Sequence, residues 1–454
     1  MDIMVLKTQQ WLNQTYGKYV TSSNPDESRF NLVPEDGQTG WPTIYGLTRA
    51  LQIELGIENT ADNFGPSTQA LYKTLTKQQE GEPGNNQYSI LQGALWCKGY
   101  GVGATDITDH FYDGTESAVI SLKQDMGLLN PDGAVTVNVM KALLSMDAFV
   151  LVDGGNATIR SIQQELNRKY ESYIGLKPCD GLYGRDTNTA LIYALQAEEG
   201  LPTDVANGNF GPTTIRCCPD IPYSGVQTSY SGAVYSDSTI ANITKIFKWG
   251  LYCNGYTGLQ IDGSFDINTS EVTKRFQEFY CIPVTGAADK TTWLSLLTSC
   301  GDPDRPAKAC DCATILTPEK AATLKNNGYE VVGRYLTGYV VGGMSKALTI
   351  EEIKIIFDAG LRFFPIYQTS GDEVSYFTPE QGTEDAKEAI EAASNLGIPD
   401  NTFIYFAVDV DAMDYQVTES IIPYFKAVHD YMFYNGTSTR YKIGIYGSRN
   451  ICSR

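Results

Sequence analysis

Apolar residues recur three and four positions apart in VLKTQQWLNQTYG, ILQGALWCKGYG, IRSIQQELNRKY and ITKIFKWGLYCNGY, so each segment predicts a helix with one buried stripe. A polar, glycine-bearing turn and a second stripe follow each. These read DGQTGWPTIYGLTRALQIELGI from Asp36, YDGTESAVISLKQDMGL from Tyr112, CDGLYGRDTNTALIYALQAEEGL from Cys179 and DGSFDINTSEVTKRFQEFYCI from Asp262. The closing pieces are NFGPSTQALYKTL, PDGAVTVNVMKALL, NFGPTTIRCC and VTGAADKTTWLSLL. The expectation is four all-α three-helix bundles. Segments one and three share NFGP, while two and four share a cysteine (Cys97, Cys253) and a GY pair, giving an A-B-A-B order with a period of roughly 150 residues. A two-unit block has been duplicated. In the turns, Asp180-Gly181 and Asp262-Gly263 suit positive φ, Gly184 avoids a Cβ clash, and Asp186, Thr187 or Thr269 can cap the next helix.

The periodicity changes after a Pro- and Gly-rich linker at 301–308. Short apolar runs at 308–312, 330–336, 361–368, 402–411 and 441–446 alternate with helical patterns near 318–327, 349–359, 379–396 and 417–434. Nearly all-apolar runs such as FIYFAV predict a parallel sheet covered by helices, either an open doubly wound sheet or a (β/α)8 barrel. No run leads into a glycine-rich phosphate loop, which disfavours nucleotide binding. The resulting boundaries are 1–80, 86–148, 156–220 and 238–300 for the helical units, then 309–454 for the α/β domain.

Charge narrows the partners. With 53 acidic against 34 basic residues the 454-residue chain carries −19, which disfavours nucleic acid and anionic membranes. No apolar run reaches membrane-spanning length, and the N-terminus lacks a secretory pattern. Ten cysteines are scattered without CxxC pairs, and His110 and His429 are the only histidines, so neither a metal site nor a cofactor is expected. Cys97 and Cys253 read as buried free thiols.

Polar residues collect where the predicted strands end: Asp311, Arg334, Gln368, Asp409 and Asp411. In a barrel that end carries the active site. Strand alternation puts Tyr405, Ala407, Asp409 and Asp411 on one side and Ile404, Phe406 and Val408 against the helices.

The third segment resembles the peptidoglycan-binding-like domain through Asp180, Gly181, Tyr183, Gly184, Thr187, Ala190, Leu191, Leu195, Gln196, Gly200 and Leu201; the other three match more loosely. CDCAT, VVGRYLTG, KALTIEEIKIIFDAGLRFFPIYQ and IYFAVDVD resemble a bacterial glycoside-hydrolase-like TIM-barrel domain related to the family 25 lysozymes. That resemblance implies carboxylate chemistry by Asp311, Asp409 and Asp411, with Arg334, Tyr335, Gln368 and Tyr446 lining a sugar pocket. Asp411 stands where the lysozymes carry the acid Glu, and the chain stops after about five of eight strands. Two readings follow. One is a bacterial, extracellular or wall-associated glycosidase that hydrolyses peptidoglycan glycan strands. The other is a non-catalytic wall-binding or anchoring protein with a degenerate barrel.

Overall fold

A computed structural model describes residues 1–20, 28–223, 228–229, 232, 234–299, 301–340, 342–410, 412, 416–434, 440–448 and 451–452. Contacts divide the chain into Met1–Leu297 and Thr298–Arg454.

The apolar stripes of the first unit form α1 (Ile3–Tyr16), α2 (Trp41–Glu54), α3 (Pro66–Leu71), α4 (Asn86–Cys97), α5 (Asp113–Asp125) and α6 (Val137–Leu143). The second half of that unit forms α7 (Ala157–Ile174), α8 (Arg185–Glu198), α9 (Pro212–Cys217), α10 (Asp237–Cys253), α11 (Ile267–Phe279) and α12 (Lys290–Leu297). Helices alone do not fix the irregular chain between them, whose backbone groups need partners. A buried side chain on the preceding helix supplies these. Gln9 donates from Nε2 to Asp36 Oδ1 (2.9 Å), the Gln38 carbonyl (3.1 Å) and Thr43 Oγ1 (3.0 Å), and its Oε1 accepts from Gly37 N–H (2.8 Å). Gln163 repeats the set with Asp180, Leu182, Thr187 and Gly181.

Gln52, Gln92, Gln196 and Gln277 brace their own following turns in the same way. All six glutamines also reach the hydroxyl of the third residue in the next helix: Thr43, Thr68, Thr115, Thr187, Thr214 or Thr292. On α5 and α10 a lysine takes the place of glutamine. Lys123 bonds Asp132 Oδ1 (2.6 Å) and Lys248 bonds Asp262 Oδ1 (2.7 Å). The Lys248 ammonium is the main cause holding the Asp262 carboxyl down at about 2.

The duplication shows in matched contacts. Asn13 pairs both ways with the Val33 backbone and Asn167 with that of Lys177. Tyr16 donates to Glu54 and Tyr170 to Glu198, each at 2.8 Å. Gly65-Pro66 and Gly211-Pro212 open the two six-residue helices α3 and α9.

Packing departs from four independent bundles. One apolar core runs from Leu12 through Leu95, Phe111, Leu122 and Met140 to Cys179, and a second from Ile162 through Leu195, Phe247 and Phe276 to Leu297. Helix α4 lies on both α1 and α2, because the six-residue α3 is too short to cover their apolar faces. The halves meet where Arg160 pairs with Asp125 (2.8 Å) and Asn167 donates to the Met126 carbonyl (3.1 Å). Gly127 stands at this seam with φ +87°, and a Cβ there would lie 2.6 Å from Gln164 Cα.

Turn details also differ from expectation. Gly181 has φ +82°. Gly263 is not left-handed; it is required because a Cβ would come 2.6 Å from that of Ala241. Asp266, not Thr269, caps α11, and Gly184 precedes α8 in extended backbone.

The second unit alternates β1 (Ala309–Asp311), α13 (Pro318–Asn326), β2 (Val331–Tyr335), α14 (Ile350–Asp358), β3 (Arg362–Tyr367), α15 (Pro379–Asn395), β4 (Phe403–Val408), α16 (Ile422–Tyr434) and β5 (Lys442–Gly447). The five strands are parallel and adjacent in sequence order. Among the described strands that order has no reversal of the kind a doubly wound sheet contains. Ile404, Phe406 and Val408 bury against α15 and α16, as alternation requires.

Replacing Gln163 with Ala is expected to lower stability by about 2–4 kcal/mol, since it strands the Gly181 N–H and the Leu182 carbonyl. Urea denaturation reads the loss, and hydrogen exchange should place it at the Gly181 amide.

Candidate active site

The face of the sheet opposite α15 and α16 carries its own small cluster. Tyr335, Ile366 and Ala407 are buried, with Ala313, Phe364, Tyr405 and Tyr446 against them. Above it lie the polar strand ends. Asp311 closes β1 and is exposed. Asp409 follows the last residue of β4 and is also exposed, its N–H bonded to the Gly371 carbonyl (3.1 Å).

Two phenols join these carboxylates. Tyr335 Oη on β2 lies 3.5 Å from Asp311 Oδ2. Burial raises the Tyr335 phenol first, and the charges of Asp311 and Asp409 add to it. Tyr446 on β5 is pushed up to about 12 by burial, then by the charge of Asp311 and a hydrogen bond to it, and then by Asp409. Both phenols therefore stay protonated donors at neutral pH. In a flat sheet β1 and β5 would be about 19 Å apart, four strand spacings. The contact of Tyr446 with Asp311 means that the sheet curls until its outer strands approach at their C-terminal ends.

Lys346 completes the mouth, and nothing in strand periodicity pointed to it. It lies between β2 and α14, donates to Gln368 Oε1 (2.8 Å), and its Nζ stands 4.2 Å from the Tyr335 ring centre. Burial lowers its pKa and Asp409 opposes that shift. Gly338 lets the lysine pass: a Cβ there would sit 2.7 Å from Lys346 Cε. Gln368, Tyr335 and Tyr446 thus gather with Asp311 and Lys346 at this end of the sheet.

Arg334 does not. The expected substrate contact is wholly buried: Nε bonds Glu352 Oε1 (2.7 Å), Nη2 bonds Oε2 (3.1 Å), and the two side chains are 0% and 1% exposed. The guanidinium also donates to the Cys312 carbonyl (2.5 Å) and the Lys346 carbonyl (3.2 Å), while Glu352 accepts the Leu316 N–H (2.8 Å). Arg334 therefore fixes the backbone next to Asp311 and at Lys346, and its guanidinium, with four of five N–H donors taken and no exposed surface, is out of a sugar's reach. Its place on an otherwise apolar strand was the available signal, because a buried guanidinium demands a carboxylate. Asp411 lies outside the described residues.

A second buried carboxylate steadies the loop after β3. Asp385 accepts from Tyr424 (2.6 Å), Tyr376 (2.9 Å) and Tyr367 (3.3 Å), so the loop carrying Gln368 and Gly371 is tied down to α15 and α16. Among the described residues no three His, Cys, Asp or Glu side chains gather as a metal site, and no helix is long and apolar enough to cross a membrane.

Comparison with known proteins adds the family. Residues 2–94 and 152–297 match the FadG/YbfG, PGDB-like domain. Two Bacillus subtilis (strain 168) proteins align over the whole chain: YbfG at 53% identity, covering 60% of its own length, and FadG at 44%, covering 75%. The chain belongs to the FadG/YbfG family. It spans about 60% of the length of YbfG. Residues 322–454 of this FadG/YbfG-family chain match the Rv2525c-like, glycoside hydrolase-like domain. Among solved structures, the Mycobacterium tuberculosis Tat-secreted protein Rv2525c in complex with HEPES is 21% identical with a TM-score of 0.25, over 29% of this chain and 65% of that one. An uncharacterized B. stearothermophilus protein is 26% identical with a TM-score of 0.24, over 30% of this chain and 58% of that one.

Replacing Arg334 with Met should cost about 3–5 kcal/mol, because it leaves Glu352 buried without its partner. The double change Arg334→Met with Glu352→Leu should recover part of that loss in thermal melts. Equal melting temperatures for the single variant and the parent would show that the pair does not hold this region together.

Proposed function

We propose that the second unit is a glycosidase of bacterial wall glycan, built as the first five strands of a (β/α)8-type barrel, and that the helical unit holds the chain on peptidoglycan outside the cell. The observation that carries this reading is the meeting of Asp311, Asp409, Tyr335 and Tyr446 at one end of the sheet. Paired carboxylates beside phenol donors suit cleavage of a glycosidic bond, in which one acid protonates the leaving oxygen and one carboxylate stabilises or hydrates the sugar cation. In this assignment Asp409 is the stabilising or basic group and Asp411 the acid. Asp311 is the carboxylate held between the two phenols. Tyr335 and Tyr446 offer stacking faces, and Gln368 a hydrogen bond.

One observation favours binding without cleavage as a second reading. Lys346 brings an amine into the mouth beside Gln368, an arrangement suited to holding an anionic glycan. In the helical unit Trp41, 51% exposed and stacked on Tyr45 at 5.3 Å, offers a flat apolar face of the kind sugars pack on.

Purified Gram-positive walls incubated with the full chain should release reducing sugar. Asp311→Asn and Asp409→Asn should each lower that rate on the order of a hundredfold. Full activity in the double variant would remove both residues from the mechanism. No release by the parent would leave the binding reading. Trp41→Ala should separately reduce retention on insoluble peptidoglycan, and full retention would exclude that face.

A further inference from the structure

A cavity of about 260 Å³ opens in the first half of the helical unit, between the C-terminal end of α4 and the segment after α6. Thr39, Lys98, Tyr100, Asp147 and Phe149 are among its walls, with Cys97, Met146 and Val150. The equivalent place in the second half of the unit is filled by different side chains. Tyr183 stands where the first half has Thr39, and Asn254 where it has Lys98. The Tyr183 hydroxyl bonds Asn188 (2.7 Å), and Asn254 Nδ2 approaches that hydroxyl at 3.4 Å. A small residue and a longer cation have replaced the plug.

The cavity contains one charge of each sign. Lys98 Nζ donates to the Ser145 carbonyl (2.7 Å) and the Asp147 carbonyl (2.5 Å), which leaves one of its three N–H groups. Lys98 and Asp147 form no ion pair with each other, although each feels the other's charge. Burial lowers the Lys98 ammonium to about 8 and raises the Asp147 carboxyl, with Lys177 and Asp186 acting on Asp147 in opposite directions. Lys98 and Asp147 are each half-buried and face the cavity without an ion pair between them, Asp147 keeping a hydrogen bond with Ser145, and the walls beside them, Phe149 with the more exposed Met146 and Val150, are apolar. A ligand that brings both missing charges at short separation satisfies both groups at once. The volume is below that of drug-sized pockets and suits a molecule of amino-acid size.

We propose that this cavity binds a free aliphatic α-amino acid as its zwitterion, with the carboxylate on Lys98, the ammonium on Asp147 and the side chain against Met146, Phe149 and Val150. This site is separate from the strand-end carboxylates and does not depend on their role.

Titration calorimetry on the full chain with L-leucine tests it, with 4-methylpentanoate (no amine) and 3-methylbutan-1-amine (no carboxylate) as controls. Leucine should bind at least tenfold more tightly than either control. Lys98→Met and Asp147→Asn should each weaken it at least tenfold. Thr39→Tyr, which copies the solution found at Tyr183, should abolish binding while keeping the melting temperature. Should that variant unfold, the two charge variants decide the matter. Absence of leucine binding at tens of millimolar, equal binding of 4-methylpentanoate, or unchanged affinity in a folded Thr39→Tyr variant would overturn the proposal.

Discussion

A buried amide on one helix that satisfies the backbone of the turn after it is the constraint on which the helical unit rests. Turns of this kind expose N–H and C=O groups that neither helix can pair, and burying them bare would cost more than the apolar contacts they permit. Glutamine meets the need because one planar group both donates and accepts. Gln9 and Gln163 show the two uses together, accepting from Gly37 or Gly181 and donating to carbonyl and hydroxyl oxygens. Lysine can only donate, and at Lys123 and Lys248 the turn answers with a carboxylate, Asp132 or Asp262. The carboxylate serves either brace, since Gln9 and Gln163 also donate to Asp36 and Asp180.

The second unit solves a related problem with ions. The pair Arg334–Glu352 is buried beneath the strand ends and bonded to the backbone at Cys312, Leu316 and Lys346. Asp385 with its three tyrosines does the same for the loop after β3. The exposed carboxylates Asp311 and Asp409 are therefore backed by buried ionic and hydrogen-bonded networks. A site made of short exposed side chains needs such backing to keep its geometry.

How much of this was legible depends on the range of the interaction. The strand alternation of β4 and the turn-to-helix motif at 180–201 are local, and both could be read directly from residue order. Cys253 is a buried free thiol as expected, whereas Cys97 is only half-buried because it lines the cavity. The partnership of Arg334 with Glu352 joins a strand to the following helix and required three-dimensional proximity. Lys346 was invisible because it stands in a loop where no periodicity marks a side chain's direction. The sharing of one core by α1, α2 and α4 was hidden for a different reason: a repeat in sequence marks what was copied, not where the copies bury their surface.

The seam at Gly127 gives the repeat array a direction. Helix α7 is seated there, and Leu176 and Cys179 from the chain after it enter the first core. At the equivalent turn after α11 the residue is Cys281, also left-handed at φ +52°, but exposed, and Phe279 beside it is 59% exposed. The first pair ends in an occupied socket, whereas the second carries Phe279 where Asp125 meets Arg160 and leaves that turn exposed. The two pairs are therefore not interchangeable: an arginine placed as Arg160 is at the first seam would meet the Phe279 ring at the second instead of a carboxylate.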